Sequence, residues 1–315
     1  MTDDRHQTGW RFQAAFRLNQ TRMLYYTIAG HTLSIETPDA KATTALLPNF
    51  VPFRTQNLTG DVLFHLSGDT PLAVPRHGHI DSFHWNGIGY EVYNTPGGWT
   101  VTIELNDRRQ VFYATHDWQH LYTDLSLVEE NERLFLNNFL IMAFGMASAP
   151  LKTIKAHASV IELDGKALLF LGKSGTGKST HSRLWQEFVP DCSLLNDDEP
   201  VVRICNDGIV RVYGTPWSGK TPCYKNRSAE VAAFVHLYQH PGNKLSPLKG
   251  LHALSSLLQS ATMMRNDTRN KNLITDTVAD ILKYTPVYRL DCRPDREAVI
   301  LTEQLIIRHT SRMSM

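Results

Sequence analysis

Cysteine is scarce in this chain of 315 residues: there are four, at positions 192, 205, 223 and 292, and no two form a C-x-x-C pair. That excludes a disulfide framework or a zinc finger as the organising device, and it fits a reducing compartment. A charge excess is missing too, with 32 Lys and Arg against 31 Asp and Glu and no long run of either sign. Nucleic acid and anionic membrane are therefore not expected partners. The longest apolar stretch, about 139–151, is short for a bilayer span, and the opening residues, Asp3 and Asp4 among them, lack a basic-then-apolar leader. The expectation is a soluble, cytoplasmic protein.

What is present is enough length for two domains and one strong motif. Gly172-Lys173-Ser174-Gly175-Thr176-Gly177-Lys178-Ser179 follows the apolar run Ala167 to Leu171 and precedes a helix-like stretch that opens with Thr180. This is the phosphate-binding loop in its strand-to-helix setting. Glycines at 172, 175 and 177 free the backbone so that successive N–H groups can face phosphate oxygens at a helix start. Lys178 adds charge for the β- and γ-phosphates, and the Ser179 hydroxyl is a ligand for Mg²⁺. Ser174, Thr176 and Thr180 complete the expected ATP contacts.

Upstream, short alternating segments such as Thr32 to Glu36, Val62 to Leu66, Tyr90 to Tyr93, Trp99 to Leu105 and Val111 to Ala114 are separated by turn signals. They predict an antiparallel, β-rich N-terminal domain over 1–125. Helical spacing from Ser126 to Met146 predicts a connecting helix (126–150) that stops before Pro150. The domain over 151–315 then opens with two strands, 153–163 and 166–171, joined by Asp164-Gly165. An Asp-Gly pair between apolar runs is a hairpin signal, so the strand feeding the loop is expected to run antiparallel to its predecessor. Beyond Pro222 the pattern is mostly helical, with Ala229 to Ala233 ambiguous and a last strand at 286–290.

Eighteen positions after Ser179 stand Asp197 and Asp198, with Glu199 beside them. Adjacent carboxylates at a strand end suit holding Mg²⁺ and accepting the proton of an attacking hydroxyl. His157, in the first strand of the hairpin, reads by itself as a core histidine. The segment 214–220 has the composition of a substrate loop, with Trp217 to pack on a ligand and Lys220 for charge. Arg227, Arg265 and Arg269 rank below Lys220 as transition-state cations. The histidines at 77, 79 and 84, and those at 116 and 120, read as surface or core residues.

The run Lys155-Ala156-His157-Ala158-Ser159-Val160, the Asp-Gly turn, 168–180 and Leu195-Asn196-Asp197-Asp198-Glu199-Pro200-Val201, in this order and spacing, resemble the C-terminal catalytic domain of HPr kinase/phosphorylase. That domain shares its core fold with ATP-type phosphoenolpyruvate carboxykinase. The resemblance covers about 153–213 and becomes diffuse afterwards. It implies an α/β P-loop kinase domain with a mixed or antiparallel sheet of the carboxykinase type. It also implies ATP-Mg²⁺ as donor and a serine hydroxyl as the acceptor type. His157 would lie near the paired aspartates, one of them base and the other metal ligand, with Ser179 and Asp198 as the metal pair and Asp197, Asp198, His157 and Lys178 as the catalytic group. The glycine- and arginine-rich signature of HPr kinases after the aspartates is not evident, and 214–220 stands in its place. HPr is therefore not the expected acceptor, and neither hexameric assembly nor phosphorylase activity is carried over. A homo-oligomer stays open. The rival readings are an ATP-binding module that recognises a peptide without phosphotransfer, and an ATPase.

Overall fold

A computed structural model describes residues 22–56, 60–85, 87–219, 221–264 and 266–313 as a mixed α/β protein built on two large sheets. In the first sheet, β1 (Arg22–Ile28) and β2 (His31–Thr37) form a hairpin over Ala29 and Gly30, both at positive φ (51° and 75°), as a tight two-residue turn requires. The chain continues through α1 (Ala40–Leu46) and β3 (Arg54–Thr55) to β4 (Val62–Ser67). A meander follows: β5 (His79–Trp85), β6 (Ile88–Thr95), β7 (Gly98–Leu105) and β8 (Arg108–Ala114), closed by β9 (His120–Thr123). The spatial order is β3-β1-β2-β4-β9-β8-β7-β6-β5.

The expected antiparallel sheet is in fact mixed, because β4 runs parallel to both β2 and β9. The connections explain this. The chain travels from β2 to β4 through α1 and β3, and from β4 to β9 through the whole meander, and such long crossovers can return a strand in the same direction.

The connecting helix starts later and ends later than its spacing predicts. Leu127 takes a positive φ (64°), while Ser126 donates from both N and Oγ to Glu132 Oε1 (2.7 and 2.9 Å), so 126–128 is a folded turn. A 3₁₀ turn (Glu130–Glu132) leads into α2 (Arg133–Ser148), and a second (Ala149–Leu151) carries Pro150. Pro150 has no N–H for an α-helical bond, so the last turn tightens to 3₁₀ instead of stopping. Together these make a 22-residue helical stretch, Glu130–Leu151, that by length and composition could cross a membrane, where the apolar run alone is too short; 56% of an 18-residue apolar window within it is buried inside the protein. Phe135, Leu136, Phe139, Leu140 and Phe144 fill the core of the first sheet, so this helix belongs to that core and does not stand free as a connector.

The second sheet departs from expectation at its start, over 153–163. The segment is broken into β10 (Thr153–Lys155) and β11 (Ala158–Leu163), which lie in different parts of the sheet. It continues with β12 (Lys166–Leu171), α3 (Lys178–Phe188), β13 (Ser193–Asp198), β14 (Val201–Ile204), β15 (Val210–Tyr213), β16 (Ser228–Gln239) and β17 (Lys244–Leu248). Then come α4 (Gly250–Ser260), α5 (Thr268–Tyr284), β18 (Val287–Cys292) and α6 (Arg296–Met313). The order is β10-β14-β15-β16-β12-β11-β13, with β18 joining the far half of β16 and β17 pairing with β18.

As the Asp-Gly pair predicts, β12 runs antiparallel to β11; on its other side it runs parallel to β16. The long strand β16 replaces a region expected to be mostly helical. Its run from Val231 to Leu237 is buried on both faces, the condition under which a strand loses alternation and resembles a buried helix in sequence. Helices α4 and α5 cover one face, and α3 and α6 the other.

Candidate functional site

β12 ends at Leu171, and the chain turns through Gly172 at φ 142°, where a Cβ would stand 2.6 Å from Thr176 Oγ1. Only glycine fits there. Gly177 (φ 105°) caps α3, which begins at Lys178. The loop therefore delivers free backbone N–H groups to a helix N-terminus, an anion site by geometry and dipole. Ser174 and Gly175 are exposed at its tip, Thr176 Oγ1 donates to Lys173 O (2.8 Å), and Ser179 and Thr180 occupy the first helical turn. Lys178 folds back over the loop, donating to Gly172 O at 2.9 Å. Burial holds its ammonium below the ordinary lysine range, while Asp198 and Asp197 pull it back up.

The aspartates are the last two residues of β13, paired with β11 as Ser159↔Asp197 and Ala158↔Asp198. Successive strand residues face opposite ways, so the two carboxylates part. Asp197, buried, accepts the Ser179 hydroxyl at 2.9 Å. Asp198 sits at φ 133°, a strained backbone for a residue with a Cβ, and points to His157. The hydroxyl that sequence paired with Asp198 as a metal site thus lies against Asp197.

His157 is not within a strand. It occupies the break between β10 and β11, where its N–H is given to Ser260 O (2.7 Å) at the end of α4. The break is what moves its ring from the core to the phosphate loop. Lys178 Nζ lies 3.0 Å from its Nε2, a contact in which the ammonium can only donate. Nδ1 lies 2.9 Å from Asp198 Oδ1, yet off the line of a directed hydrogen bond, which leaves this buried nitrogen without a well-aligned partner.

Buried polar groups behind the pair support it. Lys155 Nζ meets Glu199 Oε2 at 3.0 Å, with the two side chains only 5% and 11% exposed, so each charge is compensated out of water. The aliphatic stem of Lys155 passes α2 at Gly145, where a Cβ would lie 3.3 Å from Lys155 Cε. Asn196 accepts from Glu199 N (3.1 Å) and donates to Thr215 Oγ1 (3.1 Å) and Trp217 O (3.0 Å). This network ties the segment after β15 to the aspartates: Gly219 N donates to Asp197 O (2.6 Å), and Ser218 bridges Asp198.

Trp217, expected to pack on a ligand, packs on the first core instead. It does not face a ligand but lies buried against Phe50 and Phe144, with ring centroids at 5.7 and 5.5 Å, because the Asn196 and Thr215 bonds turn its backbone toward the first core. Lys220 and Arg265 lie outside the described residues. Arg227 pairs with Glu162 (3.0 Å).

Among the described residues, one group of three or more His, Cys, Asp or Glu has ligand atoms close enough to share a cation: His157, Asp198 and Glu199. Two of its members are already engaged, His157 by Lys178 and Glu199 by Lys155. Sequence reasoning assigns no individual role to Lys155 and His236, and marks Ser218 and Gly219 only as part of the 214–220 segment. His236 pairs across the sheet with Leu171, donates to or accepts from Ser256 Oγ at 2.7 Å, and is pushed below the usual histidine range by burial and by Arg289 and Lys178. No local signal marks it, since it lies inside the apolar run of β16. Lys155 does carry one: a lysine alternating with buried strand positions needs a buried partner. No protein-family model matches the chain, and no curated protein does.

The arrangement offers an anion cradle, a lysine over it, a hydroxyl and carboxylate side by side, and a second carboxylate beside an imidazole.

Proposed function

We propose that this protein is a kinase of the HPr kinase/phosphorylase-like kind, moving the γ-phosphoryl group of ATP to a hydroxyl, most simply that of a serine in a protein or peptide or of a small molecule. The observation that carries the reading is the division of the aspartates, Asp197 on Ser179 and Asp198 beside His157 and Lys178. Backbone N–H groups of 172–179 would bind the phosphates, with Lys178 countering charge on the β- and γ-groups. Ser179 and Asp197 are hard oxygen donors 2.9 Å apart, a donor set that fits Mg²⁺. When bound, the ion would neutralise phosphate charge.

In this reading Asp198 accepts the acceptor's hydroxyl proton while that oxygen forms a bond to the γ-phosphorus and the bond to the bridging oxygen of ADP breaks. The strained backbone at Asp198 fixes the base where the hydroxyl arrives. His157 stands between Lys178 and Asp198, 3.0 and 2.9 Å from them. The setting proposed is the cytoplasm, with the nucleotide and the hydroxyl acceptor as partners.

The test is transfer of label from γ-labelled ATP in two variants. Lys178→Ala is expected to lower turnover by at least about 10²-fold through lost phosphate stabilisation. Asp198→Asn is expected to keep ATP binding and lose about 10²- to 10⁴-fold in transfer. Full activity in both variants sinks the mechanism. Phosphate release with no acceptor present would identify an ATPase, and binding without turnover a regulatory module.

A further inference from the structure

The edge strand β5 carries aromatic side chains in an unusual place. Phe83 and Trp85 pair with Tyr90 and Ile88 of β6, both buried, so all four lie on the inner face of the first sheet. Phe83 stacks on Tyr90 (4.8 Å, 11°), yet Phe83 remains 38% and Trp85 50% exposed. A half-exposed tryptophan leaves on the order of 100 Å² of apolar area in water. What Trp85 does touch is His157, edge to face, with centroids 6.2 Å apart at 89°.

The hairpin is held at two points against the second sheet. Trp85 meets His157 near its tip, and Asn266, between α4 and α5, donates to Ile80 O (2.9 Å) farther down β5. Among the described residues of this hairpin, Trp85 is thus the side chain in contact with His157 of the site. Asp198 is flanked by His157 on one side and by Ser218 and Gly219 on the other, with Lys178 toward the phosphate loop. The half-exposed Trp85 therefore stands against the imidazole whose Nδ1 lies 2.9 Å from Asp198 Oδ1.

We infer that Trp85 is a specificity-determining residue of this site, the wall that receives a flat or aliphatic group next to the hydroxyl to be phosphorylated. The inference rests on the proposed transfer at Asp198. It narrows the acceptor from any alcohol to one with an apolar neighbour group, either a hydroxy residue flanked by an aromatic or large aliphatic residue, or a free aryl or alkyl alcohol. Polyols that lack such a group, as glycerol does, are disfavoured because they leave the indole in water.

The test uses the full chain with Mg²⁺ and a non-hydrolysable ATP analogue. Calorimetric titrations would compare a blocked Phe-Ser-Gly peptide, a blocked Gly-Ser-Gly peptide, 2-phenylethanol and glycerol. An apolar-flanked hydroxyl is expected to bind about tenfold more tightly than its bare counterpart, the size of a single aromatic contact. Trp85→Ala should erase that preference, Trp85→Phe should retain most of it, and the analogue's own Kd should hold in both, which shows that the fold and phosphate loop survive. Preference for the peptide alone identifies a polypeptide acceptor, and equal preference for 2-phenylethanol a small molecule. No binding, no preference, or a preference that survives Trp85→Ala overturns the inference. With γ-labelled ATP in place of the analogue, a Trp85-dependent preference without transfer keeps Trp85 as a binding determinant but removes the kinase reading and the phosphorylation part of the inference; transfer without the preference overturns the inference and keeps the kinase reading.

Discussion

In the first region the buried polar side chains are mainly threonines and serines, as in the Thr37–Thr43 pair (2.6 Å), with His31 and Glu132 beside them, whereas the second region buries Lys155, Glu162, Lys178, Asp197 and Glu199. Positive φ of 50–64° falls in turns of both regions, at Ala29, Asn106, Asp107 and Leu127 in the first and at Lys152, Asp164 and Asp191 in the second, but the 133° of Asp198 falls at the end of a strand, where no turn demands it. Desolvating a charge costs several kcal/mol unless it is paired, and an off-region backbone costs about 1–3 kcal/mol. The first region is built for packing, and the second gives up stability to hold charges in fixed places. In the proposed reading the second region is the chemical half, and the first adds Trp85 at its edge and packs Phe50 and Phe144 on Trp217.

Breaking the buried pair gives the largest expected change. Lys155→Met leaves Glu199 uncompensated and is expected to cost about 3–5 kcal/mol by urea denaturation, with most of it recovered when Glu199→Leu is added. A cost under about 1 kcal/mol would mean the pair is solvated, and the contrast between the sheets would lose its main support.

His31, the buried histidine of the first sheet, bonds Thr153 Oγ1 (2.9 Å) and is pushed down to about 4 by burial and then by Arg203. Its folded value lies below its unfolded one, so its contribution is complete above about pH 6.5 and is lost as pH falls toward 4. Over that window the protein should lose up to about 3 kcal/mol, and His31→Gln should flatten the slope. An unchanged slope would show that the acid sensitivity belongs to another group.

The smallest effect tests strain directly. Asp198→Gly is expected to gain about 1 kcal/mol of stability by relieving the backbone while abolishing any transfer. If Asp198→Gly is instead destabilised, the carboxylate is held by favourable contacts that outweigh the backbone strain.

Much of the site is legible in the amino-acid sequence alone. The glycine spacing, Lys178 and Ser179 specify a loop that closes on a helix start, and the Asp164-Gly165 pair specifies the antiparallel hairpin, because both are local rules of backbone conformation. Less of the fold is legible. The β16 strand hides inside a run buried on both faces, β1, β5 and β9 have weak patterns, and the parallel pairings of β4 depend on crossovers that no window of sequence contains. Trp217 misleads because an aromatic in a glycine-containing loop has the same local signature whether it faces a ligand or a core.

The sequence alone determines which groups are available and where the chain turns tightly: the loop over 172–179, two adjacent carboxylates and the hairpin ahead of them. Tertiary structure decides what those groups touch. It breaks 153–163 in two and so brings His157 to Lys178, splits Asp197 from Asp198 by strand alternation, buries Trp217 and carries Trp85 across from the other sheet. Contacts between residues distant in sequence follow from sheet order and packing, which local propensities do not encode.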